Sequence, residues 1–171
     1  MNSQARQAFD IARAIQAELP VRYVPPTHGA SPNSEMVLPH ALVTGTRGYI
    51  ERVVKQVNGS YENGWYDACG VMIRRLVETL IIECFEHYNI SSRIKNPQGD
   101  FVFLRDLITK TLSETSWNLG RNAKRALPRL KDIGDQSAHS RRFNAIREDI
   151  DKIVPDLRSV SQELIYLAGL R

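Results

Sequence analysis

The residues best suited to chemistry lie in one run, Leu130-Lys131-Asp132-Ile133-Gly134-Asp135-Gln136-Ser137-Ala138-His139-Ser140-Arg141-Arg142. A neutral imidazole near its reference pKa can take a proton from a ribose 2′-hydroxyl at neutral pH and later return one as the imidazolium. Lys131 or a nearby arginine would stabilise the charge that builds on the pentavalent phosphorus in such a step. The reaction would be metal-independent RNA cleavage, with His139 as acid/base, Lys131 on the developing charge, and Arg129, Arg141 and Arg142 on phosphate. The same histidine also suits a helix C-terminus, where the partial negative end favours a cation. The residues alone leave both readings open.

Charge distribution points the same way as the chemistry. The formal net charge is only +4. Yet Arg121, Lys124, Arg125, Arg129, Lys131, Arg141, Arg142 and Arg147 crowd one stretch, against Asp132 and Asp135. Such clustering creates a local positive field that favours phosphate-bearing partners, although a basic solvated helix face has the same composition. A second constellation is Arg74-Arg75-Leu76-Val77-Glu78, in which Arg74 and Glu78 are spaced to pair on one helix face, or either could reach another helix.

Other chemistries lack their residues. His28, His40, His87 and His139 are scattered, and there is no Cys-x-x-Cys or His-Glu-x-x-His. The run GTRGYIE lacks Walker spacing, and no Gly-x-Ser-x-Gly elbow occurs. No metal or cofactor is therefore expected. Cys69 and Cys84 fall in one helical stretch, about 22 Å apart along it, so they read as free buried thiols of a reducing cytoplasm. The N-terminal run MNSQARQAFDIARAIQAEL alternates polar and apolar residues and does not read as a secretory signal. Glu78 and Glu83 interrupt the most apolar run, so no membrane span is expected and the localisation reads as cytoplasmic.

These residues must be positioned by helices, because apolar residues recur at three- and four-residue steps and no convincing alternation occurs. The composition, 42% hydrophobic and 25% charged, is that of a globular chain. A first helix is expected over about 3–19, with Ala5, Phe9, Ile11, Ala12, Ile15 and Leu19 apolar, stopped by Pro20. Pro25, Pro26, Pro32 and Pro39 then forbid a regular element, leaving a tether or an arm to a second subunit. A second helix is predicted over 40–56, with Tyr49, Ile50, Val53, Val54 and Val57 inward, weakened by Gly45 and Gly48 and stopped by Asn58-Gly59. A third is predicted over about 61–88, with Trp65, Cys69, Met72, Ile73, Leu76, Leu80, Ile81, Cys84 and Tyr88 inward. Asp100 is the expected N-cap of a fourth, which packs through Phe101, Leu104, Leu107, Ile108 and Leu112. A fifth is expected over about 120–138, with Pro128 in its first turns or kinking it. A sixth over about 145–167 buries Ile146, Ile150, Ile153, Val154, Leu157, Val160, Leu164 and Ile165, with a possible bend at Pro155. The expected fold is all-α: an antiparallel helical bundle over 40–171, preceded at 1–39 by an N-terminal helix on a Pro-rich tether.

The run GWYDACGVMIRRLVETLI, an amphipathic helix, then LKDIGDQSAHS and a final long helix together resemble the HEPN superfamily (higher eukaryotes and prokaryotes nucleotide-binding). The likeness spans about 42–167 and is nearest to an uncharacterised prokaryotic branch. There a long helix bears an Arg-Arg-x-x-Glu-like element and a later helix ends in an Arg-x-x-Gly-Asn-x-Ala-Ala-His-like one. Arg75, Glu78, Gly134, Ala138 and His139 match. The resemblance implies a helical bundle, frequently a homodimer whose two histidine motifs share a cleft. Many members cleave RNA without metal; others bind RNA or nucleotide, or assemble with a partner protein, often in toxin–antitoxin and phage-defence systems. It assigns His139 the acid/base role, with Arg75, Glu78 and Asp135 supporting the site. Lys131 stands where the branch has arginine, Asp135 where it has asparagine and Ser137 where it has the first alanine. Arg129 is too far from His139 to replace the usual arginine. Lysine keeps the charge but loses bidentate geometry. A carboxylate at 135 opposes phosphate unless a neighbour neutralises it. RNA or nucleotide binding, or protein assembly, is thus the leading expectation, and active cleavage the alternative.

Overall fold

The structure is a computed structural model and describes residues 3–18 and 35–171. Leu19, His28 and the proline-rich run lie outside the described residues. Among the described residues the chain forms α1 (Ser3–Glu18), α2 (His40–Val43), α3 (Gly48–Glu62), α4 (Tyr66–His87), a 3₁₀ turn (Ser91–Ile94), α5 (Leu104–Ser113), α6 (Arg121–His139) and α7 (Arg147–Leu167). The expected all-α bundle is the observed fold.

Helix α4 is the centre of the bundle and packs on α3, α5, α6 and α7. Its pattern explains why. Ile73, Leu76, Val77, Leu80, Ile81, Cys84 and Phe85 are all fully buried, so apolar residues occupy more than one face and each face needs a cover. The narrower stripes of α6 (Ala123, Ala126, Leu127, Leu130) and α7 (Ile150, Leu157, Val160, Leu164) supply two of those covers. Cys69 and Cys84 are free and buried, and burial pushes both thiols up to about 12, which leaves them unreactive.

The tightest approach is between α4 and α6. A Cβ placed on Gly134 would lie 2.4 Å from Arg74 Cβ and 3.0 Å from the Gly70 carbonyl oxygen, and one on Gly70 would lie 2.7 Å from Ser137 Oγ. The atoms in the way at Gly134 are backbone or backbone-anchored, so they have little room to yield. Two glycines and a serine thus let the helices meet with almost no side chain between them.

Several element boundaries differ from expectation, each for a local reason. The predicted 40–56 helix is broken at Gly45, whose φ of +83° suits glycine, and α3 begins only at Gly48. Asn58-Gly59 does not stop α3. Asn58 is fully buried inside the helix, its Oδ1 accepting from the Val37 and Leu38 amides at 3.1 and 2.9 Å and its Nδ2 donating to the Leu38 carbonyl at 2.8 Å. The amide group thereby pins the bent segment before α2 to the bundle, and Val37 and Leu38 join the core. Arg158 of α7 holds the same segment through the Val37 carbonyl at 2.8 Å. The stop falls instead at Gly64, with φ +74°, which turns Trp65 outward to 59% exposure where an inward position was expected. Tyr49, Tyr88 and Ile146 are likewise exposed.

Asp100 is not an N-cap. Asn96 Oδ1 accepts from the Gln98 and Asp100 amides, Gly99 takes φ +91°, and the chain doubles back so that Val102 N–H meets the Ile94 carbonyl at 2.9 Å. This turn delays α5 to Leu104 and leaves Phe101 exposed, with the Lys95 ammonium over its ring at 5.1 Å. Pro128 lies two turns into α6, outside the first turn, but on its exposed side, where water can satisfy the carbonyl it leaves unpaired. In α1, Phe9 and Ile11 are exposed, so at these positions the helix is not laid on the bundle.

On an open helix, glycine to alanine stabilises by about 1 kcal/mol. At the α4–α6 crossing the sign should reverse: Gly134→Ala is expected to cost about 1–3 kcal/mol through overpacking. Chemical denaturation of the two proteins checks this. A variant as stable as the parent, or more so, would contradict the close approach.

Candidate functional site

Lys131, Asp135 and His139 stand four residues apart on α6, so helix geometry aligns them as one stripe. The glycine crossing sets Arg74 of α4 against the middle of that stripe. The segment before α5 adds Phe103, and its first turn adds Arg105. These six residues line one open groove of about 430 Å³, within the range of small-ligand sites.

Its polar centre is a carboxylate held by two cations. Arg74 Nε donates to Asp135 Oδ1 at 2.8 Å, and Lys131 Nζ donates to Asp135 Oδ2 at 2.6 Å. Glu78 Oε2 lies 3.6 Å from Arg74 Nη1, and Asp132 Oδ1 lies 3.4 Å from Lys131 Nζ. Burial favours the neutral acid at Asp135, but the hydrogen bonds and charges of Lys131 and Arg74 outweigh it and hold the carboxyl below its usual 3.8. The hydrogen bond to Asp135 raises Lys131 in turn, against a smaller opposing effect of burial, so the ammonium stays charged. The neutralising neighbour that a carboxylate at 135 requires is therefore present twice.

The rim is more open. His139 is exposed and closes α6, a position that also satisfies the C-terminal capping reading. Phe103 is 81% exposed. Arg105 extends from the same segment, its Nε 3.0 Å from Asp106 Oδ1. Ser137 Oγ, beside Gly70, is buried without a hydrogen-bond partner.

The residues singled out from the sequence separate into two groups. His139, Lys131 and Asp135 share the groove, and Glu78 reaches it through Arg74. Arg75 is exposed and is not among the groove-lining residues; it is Arg74 that meets α6. Arg129 turns toward α7, with Nη2 2.9 Å from Asp156 Oδ2, and lines a different cavity with Arg125 and Pro155. Arg141 and Arg142 are exposed on the loop just beyond His139, outside the groove lining. Phe103 and Arg105 escaped sequence reasoning because an early helix start placed them within the fourth helix, off its apolar stripe of Phe101, Leu104, Leu107, Ile108 and Leu112. The signal was present in FVFLR, an aromatic two residues before an arginine next to a turn. Among the described residues, no group of three His, Cys, Asp or Glu side chains is placed to hold a metal ion. No described helix is long and apolar enough to cross a membrane.

Comparison of the chain with protein-family models, with curated proteins and with solved structures gives no match.

The charge arrangement has a measurable consequence at acid pH. Because Asp135 is depressed in the folded state, its contribution to stability is complete above the unfolded carboxyl value. It fades as pH falls from there through the folded one. An NMR titration of the Asp135 carboxyl is expected to give a midpoint below 3.8. Replacing Lys131 by alanine should move that midpoint upward, and an unchanged midpoint would rule out the pairing.

Proposed function

We propose that the groove binds single-stranded RNA or a related nucleotide, with a base stacked on Phe103 and phosphate near Arg105, Lys131, Arg141 and Arg142. The observation that carries this reading is Phe103, 81% exposed on the rim of a groove that also holds Lys131 and His139. An aromatic ring so open to water adds little to the core, whereas a stacked base would cover it. Stacking on such a platform contributes about 1–3 kcal/mol per base and tolerates any sequence. Flanking cations supply the salt-sensitive attraction to the backbone. The HEPN resemblance supports the same ligand class. It also suggests a homodimer in which two such grooves face each other, in a prokaryotic defence or toxin–antitoxin setting.

A second reading, metal-independent cleavage giving 2′,3′-cyclic phosphate ends, is favoured by one observation: His139 is exposed in the same groove. Its imidazole would take the 2′-hydroxyl proton and return one to the leaving 5′-oxygen. Binding ranks ahead of it because Arg74 and Lys131 are already engaged by the carboxylates of Asp135, Glu78 and Asp132 and offer less to a transition-state charge.

A fluorescent single-stranded RNA should bind with an affinity that falls steeply with salt, and Phe103→Ala should weaken it about tenfold. Binding indifferent to both salt and Phe103 would defeat the proposal. Incubation in EDTA separates the two readings. Intact RNA favours binding alone, whereas cyclic-phosphate products that vanish in His139→Ala establish cleavage.

A further inference from the structure

The Asp135 carboxylate offers one oxygen to Arg74, at 2.8 Å, and the other to Lys131, at 2.6 Å. Two oxygens of one phosphate would meet the same two donors in the same way. The donors come from different helices, and the glycine crossing fixes their relative position. Neither is sealed from water: the side chains of Arg74 and Lys131 are 26% and 20% exposed, and both line the open groove. The remaining polar contacts of the pair are Glu78 on Arg74 and Asp132 on Lys131, at 3.6 and 3.4 Å.

From this we infer that Arg74 and Lys131 form a two-cation phosphate clamp and that Asp135 occupies it as an internal competitor. The inference rests on the proposed RNA reading and adds a regulating element to the same site. With the carboxylate seated, Arg74 and Lys131 face three carboxylates, those of Asp135, Glu78 and Asp132, so the cluster offers little positive charge to a ligand. A phosphate must either displace the carboxylate or bind at the rim, through Arg105 and the His139 end. A carboxamide at 135 is close in size and carries no charge. It would remove the carboxylate nearest to both cations, leaving only the longer contacts of Glu78 and Asp132, and the groove would bind phosphate more tightly.

The test is a double-mutant cycle on full-length protein, with a fluorescent single-stranded RNA titrated at several salt concentrations. Asp135→Asn is expected to bind about tenfold more tightly than the parent, with a salt slope steeper by about 0.7, from the one additional phosphate that the clamp would engage. Lys131→Ala should cost several-fold more affinity in the Asp135→Asn background than in the parent. Circular dichroism confirms folding, and Asp135→Ser replaces the asparagine variant if that one does not fold. Parent binding that depends on Phe103, combined with no gain in affinity or slope at 135, overturns the clamp and leaves the RNA reading standing. Gain at 135 with no measurable binding by the parent supports the clamp and removes RNA as the parent's ligand. Absence of binding by every variant overturns both.

Discussion

The structure depends on how closely α4 and α6 approach. At Gly134 and Gly70 the two backbones are separated by less than a side chain would occupy, and Arg74 Cβ fills the space a larger residue would need. Everything chemical in the molecule lies downstream of that contact. It sets the arginine of the central helix beside a carboxylate of α6, and it fixes the height at which Lys131 and His139 face the rim. Were side chains interposed at Gly70 and Gly134, the helices would be held further apart and Arg74 would not reach Asp135 in the same way.

A close crossing also concentrates charge. Arg74, Lys131, Asp135, Glu78 and Asp132 are linked by contacts of 2.6–3.6 Å in a partly exposed place. Exposed ion pairs contribute little to stability because water screens them. Their effect here is on recognition: they decide how much positive potential the groove presents. The basic stretch of the sequence therefore overstates what any one surface offers. Arg129 is spent on α7, and Lys131 on its own helix.

The helical periodicity of α4, α6 and α7 was legible because each buries a continuous apolar stripe, and stripes survive as spacing in the chain. Boundaries were less legible where a side chain met a distant backbone. Asn58 reads locally as a helix stop, yet its amide satisfies Val37 and Leu38, about twenty residues earlier, and the helix runs on. Phe101 read as core because Asp100 before it resembled a helix cap, and Phe103 was not singled out. The turn closed by Asn96 and Gly99 carried both rings to the surface. Of the candidate site, the i, i+4, i+8 stripe of Lys131, Asp135 and His139 was recoverable from spacing alone. Arg74 was legible as a residue able to pair with Glu78 or to reach another helix, and it does both, but Phe103 and Arg105 were not.

By itself, then, the sequence determined an all-α bundle with a basic, histidine-bearing helix. Those properties follow from side chains repeating along one helix, and repetition is a one-dimensional fact. Only the tertiary structure decided which arginine of the Arg74-Arg75 pair meets α6, and that Asp135 lies between two cations. It alone decided that an aromatic ring stands open at the rim. Those outcomes depend on the rotation and distance of packed helices. Glycines at the contact set that distance by what they lack, and no spacing within a single helix records it.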